Sequence, residues 1–90
     1  MDRKNEKIDA LMAMLAAQTD PGVLKALFAD MCTAKELENM AERLYAAKLL
    51  MEGKTYNQVI AETNISSATL SRVSRCVQYG TGYTKLLKEN

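Results

Sequence analysis

Apolar residues in this chain recur at helical spacing, and no stretch alternates in the two-residue rhythm of a strand. Between Lys4 and Ala17, Ile8, Leu11, Met12 and Leu15 fall on one helical face, with charges ahead of or between them. Asp20-Pro21 reads as an N-cap followed by proline at the first helical position, where its missing N–H costs nothing. Val23, Leu24, Leu27, Phe28 and Met31 then form the stripe of a second helix. Thr33-Ala-Lys-Glu36 is a capping-box pattern, and it predicts a third helix running to about Glu52, with Gly53 as a left-handed stop. One side of that helix carries Leu37, Met40, Ala41, Leu44, Ala47 and Met51, while Tyr45, Leu49 and Leu50 lie off the stripe. A helix apolar on more than one side is expected at the centre of a fold.

Thr55-Tyr-Asn-Gln58 repeats the capping grammar and opens a fourth helix. The stretch from Asn57 to Arg72 then holds two short helical patterns pinched around Asn64-Ile65-Ser66, which predicts a helix-turn-helix within residues 55–78. Val59, Ile60 and Thr63 share a face of its first helix, Leu70 and Val73 share a face of its second, and Ile65 sits in the turn. Asn64 falls where the chain reverses and is expected in the left-handed conformation. Ser66 or Ser67 would cap the second helix. The face left over, with Ser67, Ala68, Thr69, Ser71, Arg72 and Arg75, is short, polar and basic, and it suits a major groove. The plainer alternative is a tight helical corner inside a larger core. Beyond it the second helix should end near Val77 or Gln78, and Thr84 to Lys88 reads as a short last helix.

Composition narrows the function. The chain has 90 residues and no apolar run long enough to span a bilayer, so a single domain over residues 1–90 without membrane association is expected. Its N-terminus lacks the pattern of a signal peptide, which points to the cytoplasm. There is no His, and Cys32 and Cys76 are far apart, so neither a metal site nor a cofactor is expected. With no His, the commonest general base is missing and an enzyme is not expected. The net charge is only +1, yet residues 1–53 carry seven Lys/Arg against nine Asp/Glu, whereas residues 54–90 carry five against two. The basic excess therefore travels with the predicted reader, which is what phosphate neutralisation requires. A chain of this size buries only about 60% of its unfolded surface, while four of its helices carry apolar stripes. A homodimer follows, presenting two reader helices roughly 34 Å apart.

The chain resembles the Trp repressor family, and within it a Trp-repressor-related subgroup of bacterial regulators. The likeness extends over residues 28–78. It rests on Leu27-Phe28 ahead of the Thr33-led helix, Arg43 within that helix, Leu49-Leu50 and Gly53 at its end, and Ala68-Thr-Leu-Ser-Arg72. The resemblance implies an all-α, six-helix fold forming an intertwined homodimer, with helices four and five projecting to double-stranded DNA. It also implies an effector site, because in that family an indole-bearing amino acid lies between two arginines matched by Arg43 and Arg72, with Thr33 matching a hydroxyl that helps hold it. Two departures argue against tryptophan as the effector here: the family's glycine after the second arginine is Val73, and the serine that receives the amino group is Cys76. Arg43 and Arg72 could equally contact phosphate or pair with Glu36, Glu42 or Glu62. Asn57 replaces a basic family residue, and Ile60 stands where the family has a lysine and is expected to pack between the helices.

These observations predict a DNA-binding transcriptional regulator acting as a homodimer on a palindromic operator. A repressor is the expected form, since so small a chain leaves no separate activating domain. Ser67, Ala68, Thr69 and Ser71 would approach base edges, Lys54, Thr55, Asn57, Arg72 and Arg75 would grip phosphates, and Ser66 belongs to the same interface. Thr33, Arg43 and Arg72 are the candidate effector residues. The competing expectation is a helical dimeric protein-interaction module that does not bind DNA.

Overall fold

The computed structural model describes residues 3–88. Those residues form six helices and no strand: α1 (Arg3–Ala17), α2 (Pro21–Met31), α3 (Ala34–Met51), α4 (Tyr56–Glu62), α5 (Ser67–Tyr79) and α6 (Gly82–Lys88). They fall into two compact units that divide between Ala34 and Lys35.

In the first unit the start of α2 is fixed locally. The Gly22 N–H donates to the Asp20 carboxylate at 2.8 Å, and Pro21 occupies the first turn, where an amide proton would have had no helical partner. Neither α1 nor α2 contains a buried residue. Leu11, Leu15, Leu24 and Phe28 are half-buried, while Ile8, Met12, Val23, Leu27 and Met31 on the same two stripes are exposed.

In the second unit the fully packed core is small: Ala46, Ala47 and Leu49 of α3, Val59 of α4, and Leu70 and Val73 of α5. Leu50, Ile65, Val77, Tyr83 and Leu87 pack around it. Ala46 and Ala47 are fully buried, and α5 packs against both α4 and α6. The apolar stripe predicted along α3 is not its buried face. Met40, Leu44 and Met51 are exposed, and burial shifts to the C-terminal half, where Ala46 and Leu49 accompany Ala47. Those three residues share one core cluster with Val59 of α4 and Leu70 and Val73 of α5.

The end of α3 is the expected left-handed stop. Gly53 has φ 91°, its N–H donates to the Leu50 carbonyl at 3.1 Å, and the Lys54 N–H reaches the Leu49 carbonyl at 3.1 Å. This pair of bonds satisfies carbonyls that would otherwise be orphaned. A Cβ at Gly53 would meet nothing within 4 Å, so its replacement is penalised by backbone conformation alone. Gly53→Ala should therefore cost about 1 kcal/mol, measurable as a lower urea midpoint with unchanged slope; an unaltered midpoint would contradict it.

Candidate nucleic-acid interface

The helix-turn-helix is built from two capped helices. At α4, the Gln58 N–H donates to Thr55 Oγ1 at 3.2 Å and the Thr55 N–H donates to Gln58 Oε1 at 2.8 Å, a reciprocal capping box. At α5, the cap is Ser66 rather than Ser67. The Thr69 N–H donates to Ser66 Oγ at 3.2 Å, and the Ser66 hydroxyl in turn donates to Thr69 Oγ1 at 3.0 Å.

The turn between them departs from expectation. Asn64 is not left-handed, since no described residue other than glycine has a positive φ. The chain leaves α4 instead through extended backbone at Thr63, φ −131° and ψ 171°. The Thr63 hydroxyl donates back to the Val59 carbonyl at 2.8 Å and accepts from the Ile65 N–H at 3.4 Å. A β-branched side chain thus closes the helix by hydrogen bonding, and the reversal needs no special residue. The Asn64 N–H is taken by the Glu42 carboxylate of α3 at 3.4 Å, which ties the turn to the long helix.

Burial fixes which face of α5 points outward. Leu70, Val73 and Ser74 are buried and Val77 is half-buried, a stripe at i, i+3, i+4 and i+7. Ala68, Arg72, Arg75 and Tyr79 occupy the opposite stripe and are exposed, with Ser67 and Ser71 exposed along one flank. Thr69 lies on the other flank and is half-buried. At the start of α4, Lys54, Thr55 and Asn57 are exposed. Ile60, expected between the helices, is 39% exposed, whereas its neighbour Val59 is fully buried. A helix as short as α4 presents only one residue per turn to α5, and Val59 takes that place.

The two arginines singled out from the sequence do come together. Arg43 and Arg72 line one cavity of about 510 Å³ with Met40, Cys76 and Tyr83. Glu36, Glu42 and Glu62 are not among its lining residues, whereas Arg43 also lines a second cavity together with Glu38 and Glu42. Val73 is 2% exposed and belongs to the core cluster, while Cys76 lines the space. Thr33 belongs to the N-terminal unit. Tyr83 of α6 and Tyr79 at the outer end of α5 were not foreseen. Tyr79 could have been found from its spacing of four after Arg75 and seven after Arg72, whereas nothing local in the sequence points Tyr83 toward Arg43. A second cavity, of about 470 Å³, lies between the N-terminal half of α3 and the turn, where Lys35, Glu38, Glu42 and Arg43 face Ser66 and Thr69.

Among the described residues no group of three or more His, Cys, Asp or Glu side chains could hold a metal ion, and no helix is long and apolar enough to cross a membrane. Cys32 and Cys76 are free thiols.

A capped helix-turn-helix whose second helix turns small and basic side chains outward defines a class of DNA-associated helical proteins. Residues 6–90 match the family described as Trp repressor protein, and the chain belongs to that family. It is 38% identical over 77 residues to the uncharacterized protein YerC of Bacillus subtilis, covering 86% of this chain and 74% of that one. Among solved structures it is similar to a candidate Trp repressor from Staphylococcus aureus, with TM-score 0.87, 32% identity, and coverage of 93% of this chain and 85% of the other. A TrpR-like protein from Eubacterium eligens aligns with TM-score 0.87 at 30% identity, covering 93% of this chain and 88% of that one. Family and fold together suggest a regulator that binds DNA, and the family is not one of enzymes.

Proposed function

We propose that this protein is a transcriptional regulator, a repressor, that binds a palindromic operator in double-stranded DNA as a homodimer in the cytoplasm. The observation that carries this reading is the outward stripe of α5, where Ala68, Arg72 and Arg75 stand exposed opposite a stripe that is buried or half-buried. Small residues at the leading end allow close approach to base edges, and the arginines further along suit phosphate oxygens. Ser67, Ala68, Thr69 and Ser71 approach bases, Lys54, Thr55, Asn57, Arg72 and Arg75 contact the backbone, and Ser66 holds the leading turn in place. The exposed apolar stripes of α1 and α2 support dimerisation, because a monomer would leave Ile8, Met12, Val23, Leu27 and Met31 in water.

The cavity between Arg43 and Arg72 supports a second element of this reading, an anionic small-molecule effector. Two guanidiniums with no carboxylate in the lining favour an anion, and because one belongs to α3 and the other to α5, occupancy would bias the position of the reader helix. Thr33 is the further effector residue that the family resemblance supplies.

The DNA reading is tested by fluorescence anisotropy on genomic duplexes across a salt series. Binding should weaken steeply with salt, and Arg75→Ala should reduce the slope of log K against log salt by about one, with a similar loss on every sequence. Equal slopes for the two proteins would remove Arg75 from the interface. Absence of any salt-sensitive binding at micromolar protein would instead favour a helical module that binds other proteins.

A further inference from the structure

We infer that Tyr79 is a further DNA-contacting residue, whose phenol hydroxyl donates to a backbone phosphate at the rim of the major groove; this rests on the DNA-binding reading above. Tyr79 is 81% exposed, more than any other large hydrophobic side chain among the described residues. It continues the outward stripe of Ala68, Arg72 and Arg75, four residues beyond Arg75 and eleven beyond Ala68. Leu70, Val73 and Ser74 are buried on the opposite side, so the packing that orients α5 also turns Tyr79 outward.

The place where α5 ends is set by Gly80. Its N–H donates to the Cys76 carbonyl at 2.8 Å, and a Cβ at this position would stand 2.7 Å from that same oxygen. A side chain there would push the backbone aside and carry Tyr79 with it. Beyond the turn, Tyr83 of α6 packs against the core. One tyrosine thus anchors the corner while the other is left in water.

The length of the stripe determines what Tyr79 meets. At 1.5 Å per residue it lies about 16 Å along the helix axis from Ala68, whereas the major groove is only about 12 Å wide. With Ala68 at base edges, a helix crossing the groove brings Tyr79 out to the phosphates. The charge around it fits that partner. No Asp or Glu occurs between Glu62 and Glu89, so neither α5 nor α6 sets a carboxylate against a phosphate, while Arg72, Arg75, Lys85 and Lys88 add positive charge. A phenol at the rim can lay its ring against the sugar and give its proton to a phosphate oxygen.

The test compares wild-type protein, Tyr79→Phe and Tyr79→Ala by fluorescence anisotropy on a bound genomic duplex and on a random one, each across a salt series. Tyr79→Phe keeps the ring and removes the hydroxyl, and it should weaken binding about tenfold on both duplexes. Tyr79→Ala should weaken it at least as much. Because tyrosine is uncharged, the slope of log K against log salt should stay that of the wild type, in contrast to the loss of about one expected for Arg75→Ala. Circular dichroism and sedimentation should be unchanged in both variants. Phosphate ethylation should reveal one phosphate per half-site whose modification blocks the wild-type protein but not Tyr79→Phe.

Wild-type affinity in Tyr79→Phe, or an identical ethylation pattern, would overturn the inference while leaving DNA binding in place. A loss confined to one duplex would make Tyr79 a base reader, and altered sedimentation would place it against a second copy of the chain; either result overturns the phosphate contact. If the wild-type protein shows no salt-sensitive binding to any duplex, the DNA reading itself fails, and the inference fails with it.

Discussion

Leu70→Ala should lower the thermal midpoint by roughly 10–30 °C. Leu70 is fully buried at the centre of a cluster that contains only six buried apolar residues, drawn from α3, α4 and α5. Truncating such a leucine removes its transfer free energy and leaves a void, together costing about 2–5 kcal/mol. In a domain of this length each kcal/mol moves the midpoint by roughly 4–8 °C. No other large side chain of α5 can fill the space, since the neighbouring buried positions are Val73 and Ser74. The helix-turn-helix should loosen with its core, so DNA binding should fall in parallel. Ile60→Ala is the comparison: Ile60 is exposed on α4, and its loss should change stability by no more than about 0.5 kcal/mol. Thermal melts followed at 222 nm check both, and a Leu70→Ala midpoint close to that of the wild type would show that the core is not organised as described.

The second large effect concerns assembly. Wild-type protein should sediment at twice its 10.0 kDa chain mass, and Leu27→Glu should sediment as a monomer. Leu27 lies on the stripe of α2 with Val23 and Met31, and all three are exposed within the chain. If those stripes are covered by a second copy, a carboxylate placed there is buried without a partner, which costs several kcal/mol at each of two symmetric positions. Met14→Glu serves as the contrast. Met14 is exposed but lies off the α1 stripe of Ile8, Leu11, Met12 and Leu15, so its charge should leave assembly unchanged. Monomeric wild-type protein, or a Leu27→Glu variant that still dimerises, would refute the proposed arrangement.

Much of the fold was legible because its signals are local. Asp20-Pro21, Thr55 with Gln58, and Gly53 each act within one turn of the chain, and each marks a boundary found in the structure. The signals failed where two local solutions competed. Asn64 offered a left-handed turn, but Thr63 closed α4 first by bonding its hydroxyl to the Val59 carbonyl. Either Ser66 or Ser67 could have capped α5, and the one that also reaches Thr69 Oγ1 did so. Periodicity likewise named Val59 and Ile60 together, yet only one could face α5.

The candidate interface divides in the same way. The residue types at Ser67 to Arg75 were readable, but their orientation was not, because the outward direction of α5 is defined by which of its residues reach α4 and α6. The resemblance paired Arg43 with Arg72, and the structure adds Met40, Cys76 and Tyr83 around them.

By itself, then, the sequence determined an all-helical chain, the placement of its caps and stops, and a basic reader region after Gly53, because these depend on residues within about one turn of each other. Only the tertiary structure decided that α3 buries its C-terminal half, that Thr69 is held by Ser66 while Ser67 and Ser71 stay open, and that Tyr83 joins the two arginines. Those outcomes depend on long-range packing, in which a few fully buried positions choose the face of each helix and every other side chain takes the direction that remains.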